Sequence, residues 1–445
     1  MRRVVSSLMG ACLLALVLVG CMSGDGVQGA FEREFADDPA VVSVDLSTAD
    51  RMPFSGGVSG TVVLRDDLDD AQVREFAGRL IDFRDRTDGD EAESRVRIDL
   101  AVNGWTFPVL ATQQASATLL DVVFALNADP RVLTGTISSA DYRGSIDHAS
   151  LVASATAEIP ALITAAPAAF AAKGEHLPIT LSSPDDEPGG FEVSGTLGTW
   201  AEEAFHAYEA LRAETVVTSF HAEEGRIEVV LGNEADVDSA RSVISAALGS
   251  TPFDVFYQSD LVILFPGARG DQARELLQAM DDESRASIVS VWTDDRSATV
   301  SVRSLASVRH VVAQIDAAPV PADFLMTVAV GQGDSETFSL QAPPRDLAAD
   351  VRTAVALFDR KGVQALNAKP GFSMNLDFES APSADDLMAV AAPLRALSEL
   401  DERLCITWPD EVFCMQTAAE LDPSGGEFAE TRNGRAFADA WNSAR

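Results

Sequence analysis

From about residue 190 onward the chain repeats one pattern: an amphipathic helix followed by two short extended runs. Trp200, Ala204, Phe205, Tyr208 and Leu211 fall at the three- to four-residue spacing of one helical face. The same spacing returns over 237–248, 273–280, 305–315, 347–358 and 387–397. The predicted helices start near residues 199, 234, 268, 304, 344 and 382, and a fixed period of this kind marks a modular architecture. Between them lie paired extended runs, from Thr215–His221 with Arg226–Leu231 to Leu404–Trp408 with Glu411–Met415. Phe372, Met374, Leu376 and Phe378 alternate with polar residues, as a half-buried strand should. A short helix and a lone ribbon are each marginal alone, so the units must share a core. Two consecutive units give strand-helix-strand-strand-helix-strand. The expected class is therefore α+β, with ferredoxin-like (split βαβ) two-layer sandwiches and antiparallel sheets.

The first half shows the pattern less regularly. Val41–Leu46 and Val58–Leu64 read as strands before a helix at 69–85 capped by Asp66 or Asp67. Arg95–Val102 and Thr106–Leu110 follow around Asn103-Gly104, a good hairpin turn. Ser116–Asn127 reads as a helix and Val132–Ser138 as a strand. Ser145–Lys173 is Ala-rich and helical in pattern, interrupted by Pro160 and Pro167. Ser182–Gly190, dense in Pro, Gly and acids, is the expected internal boundary, and Arg435–Trp441 a short terminal helix. The expected organisation is an N-terminal α+β domain over 39–181, repeat pairs over 190–266, 267–341 and 342–421, and a C-terminal tail over 422–445.

The N-terminus has its own layout. Arg2 and Arg3 precede an almost wholly apolar run from Val4 to Gly20, the arrangement of a secretory signal peptide. An uncleaved span would want roughly 20 apolar residues, more than this run supplies. Leu18-Val19-Gly20-Cys21 resembles the lipobox of bacterial lipoproteins. The resemblance covers only this N-terminal stretch. It implies that 1–20 is removed, that Cys21 takes a diacylglyceryl group on sulfur, and that Cys21 becomes the mature N-terminus. Residues 21–38 are then expected to be a lipidated, flexible leash, since Met22 to Gln28 is rich in Gly, Ser and Asp. The expected location is the extracytoplasmic face of the cell membrane.

The formal charge of −36 argues against nucleic acid, which needs a basic footprint, and against lying flat on anionic lipid. The acidity reads first as solvated surface in a chain whose lysines are only Lys173, Lys361 and Lys369. Hydrophobic residues at 47% exclude global disorder.

Cys12 leaves with the signal and Cys21 is lipidated, which leaves Cys405 and Cys414. They flank Trp408-Pro409-Asp410-Glu411, a turn signal between extended runs. A tip at Pro409-Asp410 pairs 408 with 411 and so sets 405 directly opposite 414, where a disulfide is expected in an oxidising exterior.

No constellation of residues points to chemistry. His148, His176, His206, His221 and His310 form no close ligand pair. There is no GxSxG, phosphate loop or GxGxxG. Asp85–Glu91 has the flavour of a calcium loop without EF-hand spacing. No metal, cofactor or catalytic residue is assigned. The expected function is a non-catalytic binding or scaffold module of the cell envelope that meets another envelope protein or ligand. The alternative is an extracellular hydrolase using carboxylate acid/base chemistry, whose mark would be a deep pocket holding a carboxyl of strongly shifted pKa.

Overall fold

The computed structural model describes residues 24–50, 56–88, 96–331, 337–360, 362–369, 373–399, 401–409, 411–422 and 432–444. Within them the α+β class holds, and the helix-strand-strand unit extends far beyond the six copies expected. The first half is built from α1 (Gly24–Phe35), β1 (Val41–Asp50), β2 (Gly56–Leu64), α2 (Asp70–Asp88), β3 (Val96–Val102), β4 (Trp105–Pro108), α3 (Gln113–Asn127), β5 (Val132–Ser138), β6 (His148–Ala153), α4 (Ile159–Ala171), β7 (Ile179–Ser182) and β8 (Gly190–Gly195). Next come α5 (Thr199–Arg212), β9 (Val217–Glu223), β10 (Arg226–Leu231), α6 (Val237–Leu248), β11 (Asp254–Gln258) and β12 (Val262–Leu264). The remainder is α7 (Asp271–Ala279), α8 (Asp282–Ser287), β13 (Ile288–Thr293), β14 (Ser297–Val302), α9 (Leu305–Ala317), β15 (Leu325–Val330), β16 (Phe338–Ala342), α10 (Pro344–Val355), β17 (Val363–Lys369), β18 (Ser373–Phe378), α11 (Ala384–Leu397), β19 (Arg403–Trp408), β20 (Glu411–Gln416) and α12 (Arg432–Ser443).

The sheets differ from expectation. β1 to β11 form one sheet and β12 to β20 another, each in chain order. Hairpins pair antiparallel, as β13 with β14 and β15 with β16. Strands joined through a helix pair parallel, as β14 with β15 and β18 with β19. The sheets are therefore mixed, not antiparallel. The helix returns the chain to the adjacent position, whereas a split βαβ order would leave a gap for a later strand.

The chain divides into two compact units: Met1–Val229 with Ser239–Val255, and Val230–Asp238 with Phe256–Arg445. Ser182–Gly190 is no boundary, because it joins β7 to β8, which pair inside the first sheet. The borders expected at 266–267 and 341–342 fall among neighbouring strands of the second sheet.

In the second unit, strand register explains the core. Val262, Val291, Val300, Val328 and Leu340 are cross-strand neighbours in one row and are buried under the helices. Side chains alternate across a strand, so the next row belongs to the opposite face. That row runs Ser301, Ala329, Ser339, Asn367, Asn375, Cys405 and Cys414. Val308, Val311, Val312 and Ile315 bring the apolar stripe of α9 onto the core.

In the first unit, Ser145–Lys173 is only partly helical. His148–Ala153 is a strand with Ala149, Leu151 and Ala153 buried. Its alanines serve as small core residues, and the helix begins at Ile159 with Pro160 in its first turn. Asp85 to Asp88 finish α2 rather than opening a calcium loop; residues 89–91 lie outside the described residues. Gly135 sits opposite Trp105, and a Cβ there would lie 2.4 Å from the indole. Only glycine lets the buried Trp105 lie across that strand.

The leash expectation also changes. Gly24–Phe35 is helix α1, with Val27, Phe31 and Phe35 at 0% exposure. Phe31 and Phe35 interlock with Phe76 and Phe83 of α2 at centroid distances of 5.3 to 5.7 Å. Each buried phenylalanine contributes roughly 1.5–3 kcal/mol, enough to outweigh the cost of Gly26 and Gly29 inside a helix. Asp38 pairs with Arg79 at 2.7 Å just beyond the helix.

Candidate functional site

A cleft of about 670 Å³ lies between the β7–β8 loop and β9 in the first unit. The loop is held firmly. Ser183 N donates to Phe191 O at 2.8 Å, and Phe191 N donates back to Ser183 Oγ at 2.9 Å. Thr156 donates to the Glu187 carboxylate through its hydroxyl and its backbone N–H, which caps the turn before α4. Gly189 has φ +80°, and a Cβ there would lie 2.9 Å from Val217 O. Tyr208 donates its hydroxyl to Gly189 O from below.

His221 closes the cleft on β9. Its Nδ1 lies 3.0 Å from Glu192 Oε1 and its Nε2 3.4 Å from Glu223 Oε1. Register explains the contact, since Glu192 is the parallel cross-strand partner of His221. Asp185 and Glu187 also line the cleft, and no lysine or arginine does. The cleft therefore suits a ligand without a net negative charge.

The carboxyls raised above their ordinary range lie elsewhere. Burial raises Asp99, opposed by the Tyr142 hydroxyl that donates to both its oxygens at 3.0 and 3.1 Å. Tyr142 has φ +56° in the β5–β6 loop, and burial raises its phenol as well. In the second unit, burial raises Glu234, opposed by Ser259 and by Arg274, whose Nε lies 2.9 Å away. Burial, reinforced by Asp346, raises Asp350 on α10. None of the three lines the cleft. Both Asp99–Tyr142 and Glu234–Arg274 join residues some forty positions apart, which no local pattern in the chain signals.

The structure sets Cys405 and Cys414 at disulfide distance, with S–S 2.08 Å and Cα–Cα 4.0 Å. Their register is the expected one: Trp408 faces Glu411, and Cys405 faces Cys414. Arg403 Nη2 lies 3.8 Å from Cys414 Sγ. Cys21 lies outside the described residues. The remaining histidines stand apart: His148 bonds Thr180 at 2.9 Å, and His310 meets Asp281 at 3.2 Å. Among the described residues no three His, Cys, Asp or Glu side chains gather as a metal set, and no helix is long and apolar enough to cross a membrane. Comparison with family models, curated proteins and solved structures found no match.

Proposed function

We propose that this chain is a lipid-anchored extracytoplasmic protein of a bacterial envelope, in which a modular α+β body serves as a non-catalytic binding or scaffold element. The observation that carries the reading is Leu18-Val19-Gly20-Cys21 behind Arg2, Arg3 and an apolar run. A cysteine pair at disulfide distance suits an oxidising exterior. The cleft beside His221 supports binding: hydrogen bonds hold its β7–β8 wall in place, and its carboxylates disfavour anions. The hydrolase alternative needs a raised carboxyl beside a second acid in one cleft. Asp99 faces a phenol; Glu234, with Asp260 near it, faces a guanidinium; and Asp350, raised in part by Asp346, does not line the cleft. The envelope partner is a protein or ligand that engages the body while acyl chains hold it at the cell membrane.

The test is fractionation of the chain and of Cys21→Ser expressed in a bacterial host. The parent is expected in the membrane fraction and the variant in the soluble or unprocessed fraction. Identical distribution of both would contradict the reading.

A further inference from the structure

We infer that the first unit is pressed close to the bilayer headgroups, with the start of α1 no more than about 11 Å from the lipid-bearing residue. The inference rests on the lipid anchor at Cys21 and adds a distance and an interaction surface to it. Three peptide steps join Cys21 to Gly24, and an extended chain advances at most about 3.6 Å per step. That bound holds whatever path Met22 and Ser23 take.

The tether can lengthen only if α1 undocks, and its packing opposes that. Val27, Phe31 and Phe35 follow each other at four-residue spacing and are fully buried. Phe31 meets Phe83 edge-on at 5.3 Å, and Phe35 meets Phe76 at 5.7 Å. Glu34 Oε1 holds Arg86 at 2.7 Å on the outer side. Helix α1 is therefore part of the folded body, and only two residues of sequence separate it from Cys21.

The partner this surface meets is the headgroup layer itself. Contact is enforced by tether length and not by attraction, because the chain carries a formal charge of −36. A reach of about 11 Å is about one and a half times the screening length of about 8 Å at physiological salt, so the start of α1 stays within the range where an anionic membrane is still felt. Glu32, Arg33 and Glu34 are exposed side chains in the last turn of α1.

The test uses the full lipidated chain on phosphatidylcholine vesicles that contain nitroxide-headgroup lipid. A fluorophore is placed at Glu32→Cys; Glu32 is exposed, so α1 keeps its packing, and Cys405 and Cys414 are tied to each other. Strong quenching is expected with the native tether. It should fall severalfold when a 20-residue Gly/Ser spacer is inserted between Ser23 and Gly24, since such a spacer adds roughly 25 Å of mean reach. Vesicle-bound, lipidated protein whose quenching ignores the spacer would overturn the short tether while leaving the anchor standing. Protein that carries no lipid and fails to float with vesicles would overturn both.

Discussion

Phe31 of α1 meets the edge of Phe83 of α2 with ring centroids 5.3 Å apart and planes at 87°. Edge-to-face pairs add about 0.5–1.5 kcal/mol beyond the area they bury. Phe31→Ala should therefore destabilise the first unit by about 3–5 kcal/mol. It should also open the chain near residues 24–35 to protease well before the rest unfolds. Urea melts and timed proteolysis check both effects. A variant as resistant there as the parent would show that α1 is not held by this packing.

The hairpin carrying Cys405 and Cys414 closes a short loop, for which a disulfide is worth about 2–3 kcal/mol. Thiol titration of denatured, unreduced protein should find no free thiol from this pair, and reductant should lower the melting temperature. Two titratable groups would refute the bond.

Asp99 supplies a pH signature. Burial keeps its folded pKa above the ordinary carboxylate range, against the lowering effect of Tyr142. The folded chain thus holds a proton that the unfolded chain releases near pH 4. The contribution to stability is present below that pH and is lost as pH rises through the raised folded value. Asp99→Asn cannot titrate, and its amide oxygen still accepts from Tyr142. Its stability relative to the parent should therefore grow as pH rises from about 3 into the neutral range, read from urea midpoints at each pH. A gap that stays constant with pH would contradict the buried-carboxyl account.

Local periodicity made most elements legible. Met374, Leu376 and Phe378 marked β18, and the tip at Pro409 fixed the register of Cys405 on Cys414. Alanine and glycine misled. Ala149 and Ala153 pack as small strand residues, so His148–Ala153 reads as helix by propensity alone. Gly24, Gly26 and Gly29 look like a leash until Val27, Phe31 and Phe35 are seen to share one buried face. Strand order was not legible at all. The same helix-strand-strand pattern serves a neighbouring return or a skipped one, and the choice between them is made by contacts between units. The cleft depended likewise on Glu192 and His221, which meet only because β8 and β9 pair in parallel.

Intact-mass spectrometry of the chain extracted from bacterial membranes tests the central claim most directly. A mature protein beginning at Cys21, two residues before the folded body, with added mass matching acyl chains on that cysteine is the predicted result. A chain that retains residues 1–20, or one that begins at or near Cys21 without lipid, would contradict it.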